Sequence, residues 1–425
     1  MDLIVQPATA LSGEIELPSS KLHTQLASAL AILAGGKSTV ESPLRVKDTN
    51  VMLKAAEIMG ATVKRTQEKW TIWGLGGKPK PAQNFIDAKN SGTALSLLTS
   101  IAVLAPTPTV LNGDVQLRSR SMLGLLMGLR YLGADVHSTK PDDSPPFVVF
   151  GGGLRGGRVQ LSEVEARYLP AVLLPAPYAK KEVELSFGRG KQPFQLESIT
   201  ELMKKARVRV TARKSKISIP TQPYRALNYK VPRELAGAAP FIAAAALTDS
   251  RLKLRGVKRV FDRDAAFLQA MKSFGVRLHI SGRHVDVEGR QKLRATRLDL
   301  SWGPELLPMM AVLACAARGR TLIQNAGEAR TMKSDRISAI AHELHRMGAR
   351  VLERHDGLLI QGPCELKGCG VDGHDDYAVV AALVVAGLLA DGKTTIKNGA
   401  DALGTAYSRF VSTFQGLGAD ISYAH

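Results

Sequence analysis

Lys21 stands in the segment LPSSKLHTQLASALAILAGG (residues 17–36), directly after Ser20 and at the head of an apolar run. Ser19 or Ser20 can cap the helix that this run predicts, which places Lys21 in its first turn. A cation there opposes the helix dipole and is tolerated where an anion docks on the open backbone amides; otherwise it is an ordinary surface lysine. Further helix starts have anion-compatible chemistry. In DAKNSGTALSLLTSIAVLA (87–105), Asn90, Ser91, Gly92 and Thr93 precede an apolar helix. Their small side chains let backbone N–H groups approach a phosphate or carboxylate, and Asn90 or Ser91 equally serves as a plain cap. In LNGDVQLRSRSMLGLLMGLRYLGA (111–134), Arg118 and Arg120 stand at another predicted helix start. The stretch LIQNAGEARTMKSDRISAIAHELHRMGARV (322–351) crowds Arg330, Lys333, Asp335 and Arg336 into one loop-to-helix junction. Ser334 or Asp335 can cap there, and Arg336 can present its fork to an anion or hold a salt-bridged helix start. His342 and His345 do not have the spacing of a metalloprotease helix and read as surface or packing residues. Glu305, after Pro304 in WGPELLPMMAVLA, is a candidate substrate-facing carboxylate or a dipole partner.

The elements that must position these residues follow from a phrase written six times. Its forms are LKAAEIMGATV, LMGLRYLGADV, ITELMKKARVRV, AFLQAMKSFGVRL, IAHELHRMGARV and FVSTFQGLGADI, ending at Val63, Val136, Val210, Leu278, Val351 and Ile421. Each reads as the last turns of an amphipathic helix, a stop, then a strand. The stop is Gly60, Gly133, Gly275, Gly348 or Gly418, where a left-handed C-cap belongs; the third copy has Ala206 and Arg207 instead. A short hydrophobic strand follows five of the copies, at 71–74, 147–152, 216–219, 285–289 and 358–362. Six α/β units of about 70 residues account for nearly the whole chain.

Composition bounds the rest. A chain of 425 residues with 45% apolar content is long enough for two or more packed domains. No apolar run of eighteen residues is free of charge or glycine, and MDLIVQPATA has no basic leader, so no membrane span and no signal peptide are expected. Cys315, Cys364 and Cys369 form neither a disulfide framework nor a metal set, which suits a cytoplasmic setting. The net charge of +19 implies a solvated basic surface or a partner rich in phosphate or carboxylate. The basic residues are scattered through several repeats and are not interleaved with aromatics. A small anionic substrate is therefore expected ahead of nucleic acid.

The order LPSSK, NSGTA, LNGDVQLRSRSM with LGADV, then QNAGEARTMKSDRISAIAHELHRMGARV resembles the enolpyruvyl transferases, and the EPSP synthase (3-phosphoshikimate 1-carboxyvinyltransferase) family most closely, over essentially the whole chain. The sister family that uses UDP-N-acetylglucosamine has a cysteine in the loop that here reads GDVQLRSRSM. The resemblance implies an α/β fold of two similar domains, each of three βαβαββ repeats in an inside-out α/β barrel. One domain would comprise residues 1–14 plus 229–425 and the other, inserted, residues 15–228, with the active site in the cleft between them. It implies phosphoenolpyruvate and shikimate 3-phosphate as substrates, no metal or organic cofactor, no membrane partner, and a monomer. Carried over position by position, Lys21 would contact phosphoenolpyruvate and shuttle protons. Asn90, Gly92, Thr93 and Arg120 would hold its phosphate, and Arg336 would lie on its carboxylate side. Glu305 would contact the acceptor hydroxyls as a candidate base, with Glu234 in the neighbouring acidic position.

The sequence also departs from the family pattern. Leu22 and Leu26 stand where a serine and an arginine are expected; Glu165, Ala166 and Arg167 replace Ser-Ser-Gln; Gln192 and Gln195 replace a serine and a tyrosine. Met332 and Lys333 replace Lys-Glu, Asp376-Tyr377-Ala378 replaces Asp-His-Arg with His374 and Asp375 nearby, and Thr405 replaces a lysine. Each lost charge-assisted contact costs roughly 1.5–3 kcal/mol unless replaced. Arg118, Arg167, Arg330 and Lys333 can restore positive charge with different geometry, and with Ser20, Glu234 and Glu305 they are the candidate acceptor-binding residues. Three readings follow: the shikimate-pathway transfer, the same chemistry on another anionic acceptor, or an inactive relative or basic nucleic-acid-binding protein.

Overall fold

The computed structural model describes residues 1–161, 167–187, 195–213, 215–257 and 262–424. It contains six four-stranded sheets of one topology. In each, an edge strand runs parallel to its neighbour and the remaining two pairings are antiparallel. The second repeat shows the pattern in full. Phe85–Asp87 pairs parallel with Thr109–Asn112, which pairs antiparallel with Phe147–Gly151, which pairs antiparallel with Asp135–Ser138. The helix Gly92–Ala102 connects the first two strands and Leu123–Tyr131 leads to the last two. This is the βαβαββ unit.

The two helices of each repeat differ because their sequences differ. The first is buried on nearly all sides and is interior. Lys21–Leu33, Gly92–Ala102 and Leu169–Leu173 form the centre of one hydrophobic core; Ala239–Leu247, Leu307–Ala316 and Tyr377–Leu389 form the other. The second helix is amphipathic and lies outside, and it carries the repeated phrase. All six phrases end in the same closure. At the first, the Gly60 N–H donates to the Glu57 carbonyl (3.0 Å) and the Ala61 N–H to the Ala56 carbonyl (2.9 Å). These are the two bonds of a Schellman motif. The pair recurs at Gly133, Gly275, Gly348 and Gly418, all with positive φ. In the third copy Arg207 makes the same bonds at φ 67°.

The chain divides into two compact units, Met1–Pro18 with Pro232–His425, and Ser19–Val231. The junctions expected at 14/15 and 228/229 are thus displaced, for a reason of strand pairing. Ser12–Glu16 pairs along its length with Arg251–Arg255 of its own unit, and Asn228–Lys230 pairs with Thr39–Glu41 of the other. A cut at either expected position would split a strand. The strand missing after the sixth phrase is Asp2–Val5, which lies between Thr394–Lys397 and Ile421–Ala424. The sixth sheet is closed by the first residues of the chain. No helix among the described residues is long and apolar enough to cross a membrane.

Candidate active site

In the unit Ser19–Val231 the polar residues gather at two helix starts. Ser20 caps the helix Lys21–Leu33, its hydroxyl accepting the His23 N–H (3.3 Å), so Lys21 is the first helical residue. Its side chain is a quarter exposed, and its ammonium hydrogen-bonds the buried Asp48 carboxylate. One turn on, the Gln25 amide donates to the Asp48 carbonyl (3.1 Å) and to the Ser91 hydroxyl (2.9 Å). Ser91 in turn caps the helix Gly92–Ala102 by accepting the Ala94 N–H (3.3 Å). Asn90, next to that cap, donates to the Gln116 side chain and accepts from Arg120 Nη2 (3.1 Å).

Hydrogen bonds therefore join Lys21 to Ser91, whose chain neighbours are Gly92 and the Asn90 that pairs with Arg120, with exposed Thr93 beside them. The loops are zipped by backbone: the Ala88 N–H donates to the Asn112 carbonyl (2.8 Å) and the Asp114 N–H to the Lys89 carbonyl (2.9 Å). Gly113 permits this approach, since a Cβ there would meet the Lys89 oxygen at 2.6 Å. Two cations and the amide end of a helix are the chemistry of an anion site. Arg118 and Arg120 do not open an α-helix as expected. Arg118 lies within a 3-10 turn, Leu117–Ser119, and Arg120 ends it; the Leu117 N–H is held by the Asp114 carboxylate (2.9 Å), and the α-helix begins at Leu123. Arg167 stacks 4.7 Å over the Tyr168 ring. Leu26 is fully buried. Glu165, Ala166 and Gln192 lie outside the described residues.

The other unit has its own cluster, again at helix starts. Arg263, the second residue of the helix Asp262–Phe274, hydrogen-bonds both the Glu234 and the Glu305 carboxylates. Burial works against its charge, but the two carboxylates outweigh burial and raise its pKa. Beside it, burial, reinforced by Glu234, pushes the Asp264 carboxyl up to about 6, although it accepts the Ala236 N–H (3.0 Å).

Arg336 lies at a third helix start. It is 2% exposed, and its fork grips Asp376 through Nε (2.7 Å) and Nη2 (2.8 Å), while Nη1 donates to the Glu305 carbonyl (3.2 Å). Asp376 is itself the N-cap of the helix Tyr377–Leu389, accepting the Ala378 N–H (2.9 Å). Burial would raise Asp376, but Arg336, that amide and Ser334 hold it below the usual carboxylate range. The guanidinium is paired inside the fold and joins the starts of three helices.

Asp335 is the cap of the helix Arg336–Arg346, with bonds from Ile337 and Ser338 (both 3.1 Å). Arg330 is held by Asp335, Glu353 and the carbonyls of Arg354 and His355, so it braces the junction rather than opening onto a ligand. Lys333 lies 5.7 Å over the Tyr377 ring. Sequence reasoning missed Arg263, Asp48 and Gln25; all three sit in first or second turns of helices, which is the one signal that marked them. Among the described residues no group of three or more His, Cys, Asp or Glu is placed to hold a metal ion.

The sequence profile of the family described as EPSP synthase (3-phosphoshikimate 1-carboxyvinyltransferase) matches residues 5–414. A 3-phosphoshikimate 1-carboxyvinyltransferase of Methanosarcina acetivorans is 36% identical over 422 residues, covering 97% of each chain. One of Methanocella arvoryzae is 35% identical over 414 residues, covering 96% of this chain and 97% of its own. Among solved structures, EPSP synthase from Acinetobacter baumannii superposes with a TM-score of 0.83 over 100% of both chains at 23% identity. The enolpyruvyl transferase NikO from Streptomyces tendae reaches 0.81 at 19% identity, over 100% of this chain and 98% of its own. The two structures speak for the fold of paired three-repeat units. With the profile and the relatives matching nearly end to end, the chain belongs to the EPSP synthase family.

Proposed function

We propose that this chain transfers the enolpyruvyl group of phosphoenolpyruvate to a hydroxyl of shikimate 3-phosphate and releases phosphate, as a 3-phosphoshikimate 1-carboxyvinyltransferase. The observation that carries the reading is the hydrogen-bonded chain from Lys21 through Asp48, Gln25 and Ser91, next to the Asn90–Arg120 pair. It supports a site for a phosphorylated, carboxylated substrate. The acceptor oxygen bonds to C2 of phosphoenolpyruvate while C3 takes a proton. Phosphate then leaves C2 as C3 loses a proton, which restores the double bond. Lys21, its charge balanced by Asp48, donates and retrieves the C3 proton. Asn90, Thr93, the Gly92 amide and Arg120 hold the phosphate as charge moves onto it. Glu305, oriented by Arg263, takes the acceptor proton. Arg336 is a positioning residue that fixes the backbone of Glu305 and the Asp376 cap. Ser20, Arg118, Arg167, Glu234, Arg330 and Lys333 complete the acceptor side by charge and by bracing. The enzyme is read as a cytoplasmic monomer.

The test is phosphate release from phosphoenolpyruvate with shikimate 3-phosphate as acceptor. Turnover reduced about 10²–10⁴-fold by Lys21→Ala in a folded protein supports the assignment. A second reading keeps the phosphoenolpyruvate half and changes the acceptor. It is favoured by buried Leu26 and by Lys333, where the family pattern has arginine and glutamate. Thermal stabilisation by phosphoenolpyruvate without turnover on shikimate 3-phosphate would select it. Oligonucleotide binding that falls steeply with salt, with no response to phosphoenolpyruvate, would sink both.

A further inference from the structure

In the fifth repeat the helix Leu307–Ala316 lies against the strand Gly357–Gly362. The approach is close because Gly362 has no side chain: a Cβ there would meet the carbonyl oxygens of Ala317, Ala314 and Cys315 at 2.3, 2.7 and 2.9 Å. The chain leaves the strand through Pro363, and the Cys364 N–H donates to the Cys315 carbonyl at 2.7 Å. That bond alone limits the separation of the two cysteines. With ordinary backbone bond lengths their Cα atoms are at most about 6.6 Å apart, inside the range that a disulfide spans. The Cys364 thiol donates to the Gln361 carbonyl at 3.2 Å and interacts with the neighbouring Cys315 thiol. Cys315 is 1% exposed, whereas Cys364 is partly open to solvent. The Arg350 guanidinium sits next to Cys364, donating to the Pro363 carbonyl (3.3 Å). The neighbouring Cys315 pulls the Cys364 thiol down to about 6 against the effect of burial, with Arg350 adding to it. The same interaction, with burial, holds Cys315 well above the ordinary thiol value. A partly open, thiolate-prone sulfur beside a buried protonated one has the division of labour of an attacking and a resolving cysteine.

We propose that Cys315 and Cys364 form a hydroperoxide-reactive pair whose oxidation product is an intrachain disulfide stapling the helix Leu307–Ala316 to the end of the neighbouring strand. The Cys364 thiolate attacks one peroxide oxygen, the O–O bond breaks, and the other oxygen leaves with a proton as water or an alcohol. Cys364 is then a sulfenic acid. Cys315 sulfur attacks that sulfur and its proton joins the departing hydroxide as water. Two electrons pass from the two thiols to the peroxide, and an added dithiol reverses the change. Cys369 is an internal control, because burial raises its pKa whereas that of Cys364 is lowered.

The experiment titrates the full chain with hydrogen peroxide, then alkylates free thiols and maps the peptides by mass. The expected result is a peptide pair linked through Cys315 and Cys364, cleaved by dithiothreitol, with Cys369 alkylated throughout and reacting about tenfold more slowly. In Cys315→Ser, Cys364 should instead accumulate as a sulfenic acid trapped by dimedone. Oxidation of Cys369 ahead of Cys364 would overturn the proposal. So would wild-type Cys364 passing to the sulfinic acid without a link to Cys315. The mapping on the wild-type chain decides the matter even if the variant does not fold.

Discussion

Arg336 closes Nε and Nη2 on Asp376 in a fully buried pair. Removing one partner of such a pair leaves an uncompensated charge, so Arg336→Ala should cost about 3–5 kcal/mol in urea unfolding. The double variant with Asp376→Ala should lose clearly less than the two single losses added together; strict additivity would contradict the pairing. Asp264 behaves in the opposite way. Its folded pKa is raised to about 6, so its favourable contribution is complete below the unfolded value near 4 and is lost as pH rises through 6. Asp264→Asn keeps an acceptor for the Ala236 amide without the charge. It should match wild type near pH 4 and exceed it by about 2 kcal/mol at pH 7.5. Equal stability at both pH values would show that the carboxyl is not desolvated as described.

At the scale of elements, the six helix stops are one device with one exception. Gly418 adopts φ 98° with nothing within 4 Å of where a Cβ would stand, so Gly418→Ala isolates the cost of a left-handed backbone from any clash. That cost should be about 1 kcal/mol. Arg207 already bears it at φ 67°, which predicts that Arg207→Gly raises the thermal midpoint, offset in part by the greater freedom of glycine in the unfolded chain. A drop in midpoint would mean that the Arg207 side chain contributes more than its backbone costs.

At the scale of the whole molecule, the repeats are cyclically permuted relative to the chain ends. Asp2–Val5 is an interior strand of the sixth sheet, and Leu3 and Val5 are fully buried. Chain termini are ordinarily tolerant of change. Here Leu3→Ala should cost about 2–5 kcal/mol, the loss of a core residue, measured by denaturant unfolding. Loss within experimental error would show that the N-terminal strand is dispensable.

The amino-acid sequence by itself determined the sixfold repeat, the division into apolar inner and amphipathic outer helices, and the helix starts at Lys21, Gly92 and Arg336. Each depends on residues within about five positions of one another, the reach of a cap or a helical turn. It did not reveal which side chains at those starts face each other. Arg336 and Asp376 are 40 residues apart, Arg263 and Glu305 are 42, and only the packing of several helix starts in one core brings them into contact. The same holds for Cys315 and Cys364, which local spacing left unconnected until Gly362 let the strand close on the helix. Periodicity specifies where an element begins and which face it buries. The partner of a charged or reactive side chain is chosen by the tertiary fold, because that choice depends on distances the chain acquires only after it has packed.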